Sequence, residues 1–259
     1  MQIPEIPENI ITNYYINKQM AKLITYLKKC NFTVIRFIKN DDYIIKNCCD
    51  YKIHLGSAIH FNDKFDCCFK FPQEIEKTLK ELGLYSSSLP QFFEEAMDTI
   101  KKNLYITCFT DKCNLDNSKM WYIYGDNYKG ACIEYEISNI ADLLINNMFI
   151  FLPVTYSNNP GNLKLEEKGS DYLNKNIYKS RFTKSTVWQD EKEWRLYMEN
   201  HTQPNNLICK PKAIYLGAEM DDKKKKEIKN KLSSDVFLYE TYFNYPNLKI
   251  SYKLIENRG

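Results

Sequence analysis

From Thr33 to Leu254, short runs rich in β-branched and aromatic residues alternate with segments of helical spacing, and this interleaving limits the folds open to the chain. Strands are predicted at Thr33–Ile38, Tyr51–Gly56, Leu104–Phe109, Ala131–Ile137, Phe149–Tyr156, Trp194–Glu199, Ala213–Leu216, Val236–Glu240 and Leu248–Leu254. Helices are predicted at Glu8–Lys29, Asp42–Cys48, Gln73–Leu82, Leu89–Lys102, Ser118–Tyr124, Asn139–Asn147, Lys168–Lys179 and Asp221–Leu232. The expected fold class is α+β: a single mixed domain with a central, mostly antiparallel β-sheet flanked by helices. Residues 1–30 read as an N-terminal helical segment and 31–259 as the α+β domain that carries the chemistry. The Asn- and Pro-containing stretch at 157–162 is the best internal hinge, but no shift of composition marks a boundary there.

Local chemistry sharpens several boundaries. Asp41 or Asp42 can cap the helix that follows, and Gly125 can close the one ending at Tyr124. Phe61-Asn62-Asp63-Lys64-Phe65-Asp66 reads as a structured loop, its Asn and Asp side chains bonding nearby backbone and its two Phe anchoring it. Lys223 to Lys226 follow Asp221 and Asp222, as expected of the exposed face of a surface helix, with a phosphate-binding patch as the alternative.

Charge and cysteine usage bound the partners. A formal net charge of +3 is too small to imply nucleic acid by itself. The nine Cys include the adjacent pairs Cys48-Cys49 and Cys67-Cys68, without C-x-x-C spacing, and the chain has three His (His54, His60 and His201). Neither a disulfide scaffold nor a zinc site is expected; most of the thiols read as reduced, buried, small hydrophobes. Met1 to Glu5 is no signal peptide and no apolar run is long enough to span a membrane, so a reducing cytoplasm is expected and no membrane partner.

The chemistry concentrates at Asp190-Glu191-Lys192-Glu193-Trp194-Arg195-Leu196-Tyr197. In an extended chain, residues two apart share a face, so Glu191 and Glu193 would project together from the start of a strand. Such a carboxylate pair can hold a sugar hydroxyl and stabilise a developing cation. The competing reading is a solvated charged turn. Trp121 and Trp194 read first as core or pocket walls. Arg36, a charge in an apolar strand, has a structural alternative in pairing with Asp63 or Asp66, and Arg195 in bridging Glu191 or Glu136.

Several blocks resemble the bacterial domain-of-unknown-function 2971 family. They are the early strand with Arg36, the Phe61–Asp66 loop, and Met120-Trp121-Tyr122-Ile123-Tyr124-Gly125-Asp126-Asn127-Tyr128-Lys129-Gly130-Ala131-Cys132-Ile133-Glu134-Tyr135. Lys184, Trp188, Glu191-Lys192-Glu193-Trp194-Arg195 and Ile214-Tyr215-Leu216-Gly217 follow in the family's order. Lys64 stands where the family usually has Pro, and Tyr128 where it often has His. The order of polar landmarks also looks like an ADP-ribosyltransferase: Arg36 on an early strand, Thr107 or Tyr124 in the middle, Glu191-x-Glu193 on a late strand. This analogy holds at the level of fold.

The resemblance implies NAD as a substrate, with Arg36 on its pyrophosphate and Asn62 and Thr107 also binding the dinucleotide. Tyr124 or Trp121 would stack on nicotinamide. Glu193 would hold the ribose and Glu191 orient the acceptor, a nucleic acid or a protein, in the setting of a bacterial toxin or phage-defence effector. No metal is expected, and Glu193→Gln should abolish turnover with little loss of folding. Two rivals remain: a Mg²⁺-dependent nuclease or phosphodiesterase using Asp63, Asp66, Glu191 and Glu193, and a non-catalytic sensing or binding module.

Overall fold

The computed structural model describes residues 20–68, 73–146, 149–158, 180–198 and 206–255. The predicted helix at 168–179 and the first part of the 8–29 helix lie outside them. In chain order the elements are α1 (Met20–Lys29), β1 (Thr33–Ile38), α2 (Ile44–Cys49), β2 (Lys52–His54), β3 (Gly56–Ser57), α3 (Gln73–Glu81), α4 (Leu89–Lys102), β4 (Tyr105–Asp111), α5 (Ser118–Ile123), β5 (Ala131–Glu136) and α6 (Ile137–Asn146). Then come β6 (Phe149–Pro153), β7 (Thr155–Tyr156), β8 (Thr183–Lys184), β9 (Glu193–Met198), β10 (Asn206–Ile208), β11 (Ala213–Leu216), α7 (Asp222–Lys231), β12 (Phe237–Asn244) and β13 (Lys249–Leu254).

The large sheet runs β13-β12-β11-β5-β1-β4-β9-β6, with β3 paired to β4. Its pairings are antiparallel except β11 with β12, and this establishes the α+β class with a mostly antiparallel central sheet. Successive residues of a strand face opposite sides, so neighbours in β1 serve different cores. Val34 joins the main core with Ile133, Ile214, Phe109 and Leu196, which is closed by Leu23 and Leu27 of α1 and by Ile137 and Ile140 of α6. Ile35 joins a second core with Cys132, Tyr215, Leu115 and Trp121. Burying Leu, Ile or Phe side chains of this kind contributes roughly 1.5–3 kcal/mol each.

Several expectations are corrected. The run Tyr51–Gly56 breaks at Leu55: β2 pairs with β10, and β3 pairs with β4. Phe149–Tyr156 also breaks, because β6 pairs with β9 while β7 pairs in parallel with β8. In both cases one apolar run serves two ladders, which periodicity alone does not reveal. Tyr43, not Asp41 or Asp42, is the N-cap of α2, and Asp41 Oδ1 instead accepts the Tyr43 N–H at 2.9 Å. Phe65 is 84% exposed, so Phe61 alone anchors its loop.

One feature of the sheet positions the site. The β1–β4 ladder contains only Val34↔Asp111 and Ile35↔Thr110. Arg36 to Ile38 continue along β5, whereas Tyr105 and Ile106 are taken by β3. The next pairs in register, Arg36 opposite Phe109 and Phe37 opposite Cys108, are not formed, and the two strands part like a fork.

Candidate functional site

A cavity of about 350 Å³ opens in this fork. Its lining includes Arg36, Phe37 and Lys39 from β1 and just beyond it, Thr107, Cys108 and Thr110 from β4, and His54, His60, Asn62, Asp63 and Asp66 from the β2–loop region. Tyr124, Lys184, Trp188, Glu191 and Glu193 complete the wall. Six residues expected from the sequence therefore share one cavity: Arg36, Asn62, Thr107, Tyr124, Glu191 and Glu193. Trp121 is not in the lining. It is fully buried, its Nε1–H donates to Leu115 O at 2.7 Å, and Phe37 meets it edge-on at 5.1 Å, so no face is open to a ligand.

The two glutamates converge by a route unlike the one expected. Glu191 ends a 3₁₀ turn over Thr186–Glu191, Lys192 is left-handed at φ 46°, and only Glu193 begins the strand. A left-handed residue reverses the chain locally, so both carboxylates swing towards the same cation. Asn114 secures the turn: its Nδ2 donates to Glu191 O at 2.8 Å and to Asp190 O at 2.9 Å. The Thr110 hydroxyl also donates to Glu191 O.

The shared cation is Lys184. Its Nζ lies 2.5 Å from Glu191 Oε2, 3.0 Å from Glu193 Oε2 and 3.9 Å from Asp66 Oδ2. Arg195 is the second cation, at 2.6 Å from both Glu193 Oε1 and Asp66 Oδ2. Tyr124 Oη donates to Glu191 Oε1 at 2.5 Å, and Tyr156 Oη accepts the Glu193 N–H at 2.8 Å. Formally, three carboxylates face two cations, leaving one excess negative charge in a region where all five residues are buried.

Burial opposes the charge on Glu193, but Arg195 and then Lys184 outweigh it and hold the carboxyl down at about 2. Burial likewise opposes the charge on Lys184, and Glu193, Glu191 and Asp66 together reverse that and raise its pKa. Burial, followed by the Glu191 charge, pushes the Tyr124 phenol well up, so Tyr124 acts as a hydrogen-bond donor.

Arg36 pairs with neither Asp63 nor Asp66; its Nη1 donates to the neutral Asn47 Oδ1 at 3.1 Å, and among the described residues no carboxylate pairs with it. Arg195 bridges Glu193 and Asp66, not Glu191 or Glu136. Asp63 accepts from Trp188 Nε1 at 2.9 Å, which fixes the indole, and Lys184 Nζ sits 5.0 Å from that ring's centroid. Sequence reasoning assigned no role to Lys184, Trp188, Tyr156 or Asn114. The family blocks marked the first two, whereas a buried Asn beyond the strand carries no pattern of its own.

Asp66, Glu191 and Glu193 already pair with Arg195 or Lys184, and among the described residues no group of three or more His, Cys, Asp or Glu is arranged to hold a metal. Nor is any helix among them long and apolar enough to cross a membrane.

Residues 120–196 match the family described as Protein of unknown function (DUF2971), so the family resemblance is shown over the stretch running from the Met-Trp block to the E-x-E block. No curated protein and no solved structure matches the chain.

Proposed function

We propose that the cavity binds NAD and breaks its nicotinamide–ribose bond, passing ADP-ribose to an acceptor. The observation that carries this reading is the charge polarity of a single cavity. Its buried part has the excess negative charge of Asp66, Glu191 and Glu193 over Lys184 and Arg195, while half-buried Arg36 and exposed Lys39, His54 and His60, with Asp63 among them, line its more open part. A cationic nicotinamide ring and the oxocarbenium character that develops as it leaves favour the first; a pyrophosphate favours the second. About 350 Å³ lies in the range of small-molecule sites and accommodates the nicotinamide–ribose end.

The fork adds a second support. Because β1 and β4 do not pair there, Phe37 and Cys108 both line the cavity, and any main-chain group left on the facing strand edges is a donor or acceptor for a planar carboxamide. Trp188, with its orientation fixed by Asp63, takes the aromatic-wall role that Trp121 cannot. In the reaction the C1′–N bond breaks with its electron pair leaving on nicotinamide. The acceptor's lone pair then forms the new bond to C1′ and its proton is released. Glu193, ionised and held by Arg195, stabilises the developing charge, and Glu191 orients the acceptor. The likeness to ADP-ribosyltransferases remains one of landmark order, and a nucleic-acid or protein acceptor and a toxin or phage-defence setting rest on resemblance alone.

The test is nicotinamide release from NAD by wild type and Glu191→Gln, with and without RNA, DNA or cell lysate. Glu191→Gln is the cleaner variant because Lys184 keeps Glu193 as a partner. Wild type should release nicotinamide, and the variant should lose on the order of 10²–10⁴-fold. No release by wild type under any condition, or full activity in the variant, would overturn the reading.

A further inference from the structure

We infer that Lys184 is the positioning residue of this site: its ammonium holds Glu191 and Glu193 side by side as a charged pair facing the cavity. This rests on the NAD-cleaving reading for its catalytic consequence but not for its electrostatics. Among the described residues Lys184 is the only cation paired with Glu191, since Arg195 is spent on Glu193 and Asp66. Two carboxylates that share a buried site without a cation between them cannot both stay ionised, and one takes up a proton.

A dedicated piece of structure delivers the lysine. The parallel pair β7–β8 matches Tyr156 with Lys184, and both reach the start of β9, Tyr156 through the Glu193 N–H and Lys184 through the carboxylates. Its backbone is tied by Thr155 N–H to Phe182 O at 2.7 Å and Ser157 N–H to Lys184 O at 2.9 Å. The other titratable or charged groups facing the pair are Asp66 and Cys67 from the loop, Cys108 from β4, Tyr124 after α5, Tyr156 from β7 and Arg195 from β9. Only Arg195 among them is cationic, and among the described residues it pairs with Glu193 and Asp66, not with Glu191.

The experiment compares wild type with Lys184→Met, Lys184→Arg, Glu191→Gln and the double variant Lys184→Met/Glu191→Gln. The first readout is a carbon-13 carboxyl NMR titration, which needs no substrate. In Lys184→Met one of the two glutamates should protonate at least about one pH unit higher than in wild type. The acid limb of kcat/KM for nicotinamide release should move with it, kcat should fall roughly 100-fold or more with KM within about threefold, and Lys184→Arg should restore the wild-type profile. A Lys184→Met protein that folds and titrates like wild type overturns the inference, as does one that is destabilised yet keeps the wild-type pH profile.

If Lys184→Met does not fold, the double variant decides. With Glu191 neutral there is no pair to hold, so Lys184→Met should cost far less stability in the Glu191→Gln background than in wild type. An equal cost in both backgrounds, or a double variant that does not fold, overturns the inference. Should wild type release no nicotinamide, the NAD reading fails while the titration still decides on Lys184.

Discussion

At the scale of the residue, Glu193 stays ionised in full burial because Arg195 bonds it and Lys184 lies 3.0 Å away. The same pairs revise the expectation that Glu193→Gln would fold untroubled, since a neutral amide leaves Arg195 short of charge. Breaking a buried pair from one side costs about 3–5 kcal/mol, so Arg195→Met and, to a lesser degree, Glu193→Gln should lower the urea midpoint accordingly. An Arg195→Met midpoint equal to wild type would contradict the buried-pair account. The acid side follows from the sign of the shift. A carboxyl held at about 2, against 4.5 for an unperturbed Glu, contributes stability that is present above pH 4.5 and lost as pH falls from there towards 2. Acid unfolding of wild type should show that slope, and Glu193→Gln should flatten it; an unchanged slope would place the linkage elsewhere.

At the scale of the element, the turn between α5 and β5 shows why the Met-Trp block reads as a unit. Asp126, Asn127 and Tyr128 are all left-handed, with φ of 52°, 52° and 66°. The turn is held by Gly130 N–H to Gly125 O at 2.8 Å, Gly217 N–H to Gly130 O at 2.8 Å and Glu219 N–H to Tyr128 O at 3.0 Å. A Cβ on Gly217 would lie 2.0 Å from Tyr128 O, and one on Gly130 would lie 2.0 Å from Ile38 O. Backbone cannot yield as a side chain does, so Gly217→Ala should destabilise by about 1–3 kcal/mol in denaturant titration. A loss under about 1 kcal/mol would mean that the turn gives way. Tyr128, where the family often has His, serves structure here: its hydroxyl meets Ser118 Oγ at 2.7 Å and its ring meets Phe243 at 5.0 Å. The Lys64 carbonyl accepts the buried Lys101 ammonium, which ties its loop to α4. On α7, Asp221 caps the helix by accepting the Lys224 N–H at 2.8 Å. The lysine run is not uniformly solvated, because Lys225 turns to Glu240 at 2.7 Å.

At the scale of the molecule, one core reaches from Leu23 of α1 through the sheet to Leu238 of β12, and α1 packs against α6 within it. Helix α1 therefore belongs to the same cooperative unit as the sheet. Unfolding followed by tryptophan fluorescence and by far-ultraviolet circular dichroism should give one coincident transition. Two separated transitions would show that the chain divides into independently stable parts.

Much of this protein was legible from its residues in order. Patterns of period 2 and 3.6 located β1, α4, β5, β11 and α7 to within a residue or two, because in each a single apolar or amphipathic run corresponds to a single element. The spacing of Glu191 and Glu193 drew attention to the pair, but not to the left-handed Lys192 through which the two converge. The remainder depended on contacts between segments far apart in sequence. No local pattern says that Tyr51–Gly56 divides between two ladders, that β1 and β4 part after a single pair of rungs, or that Lys184 and Arg195 meet three carboxylates drawn from two segments. Whether a carboxylate is part of a solvated turn or of a buried ion-paired cluster depends on what long-range packing sets beside it, and that information lies in the pairing of strands, not in the run of residues around it.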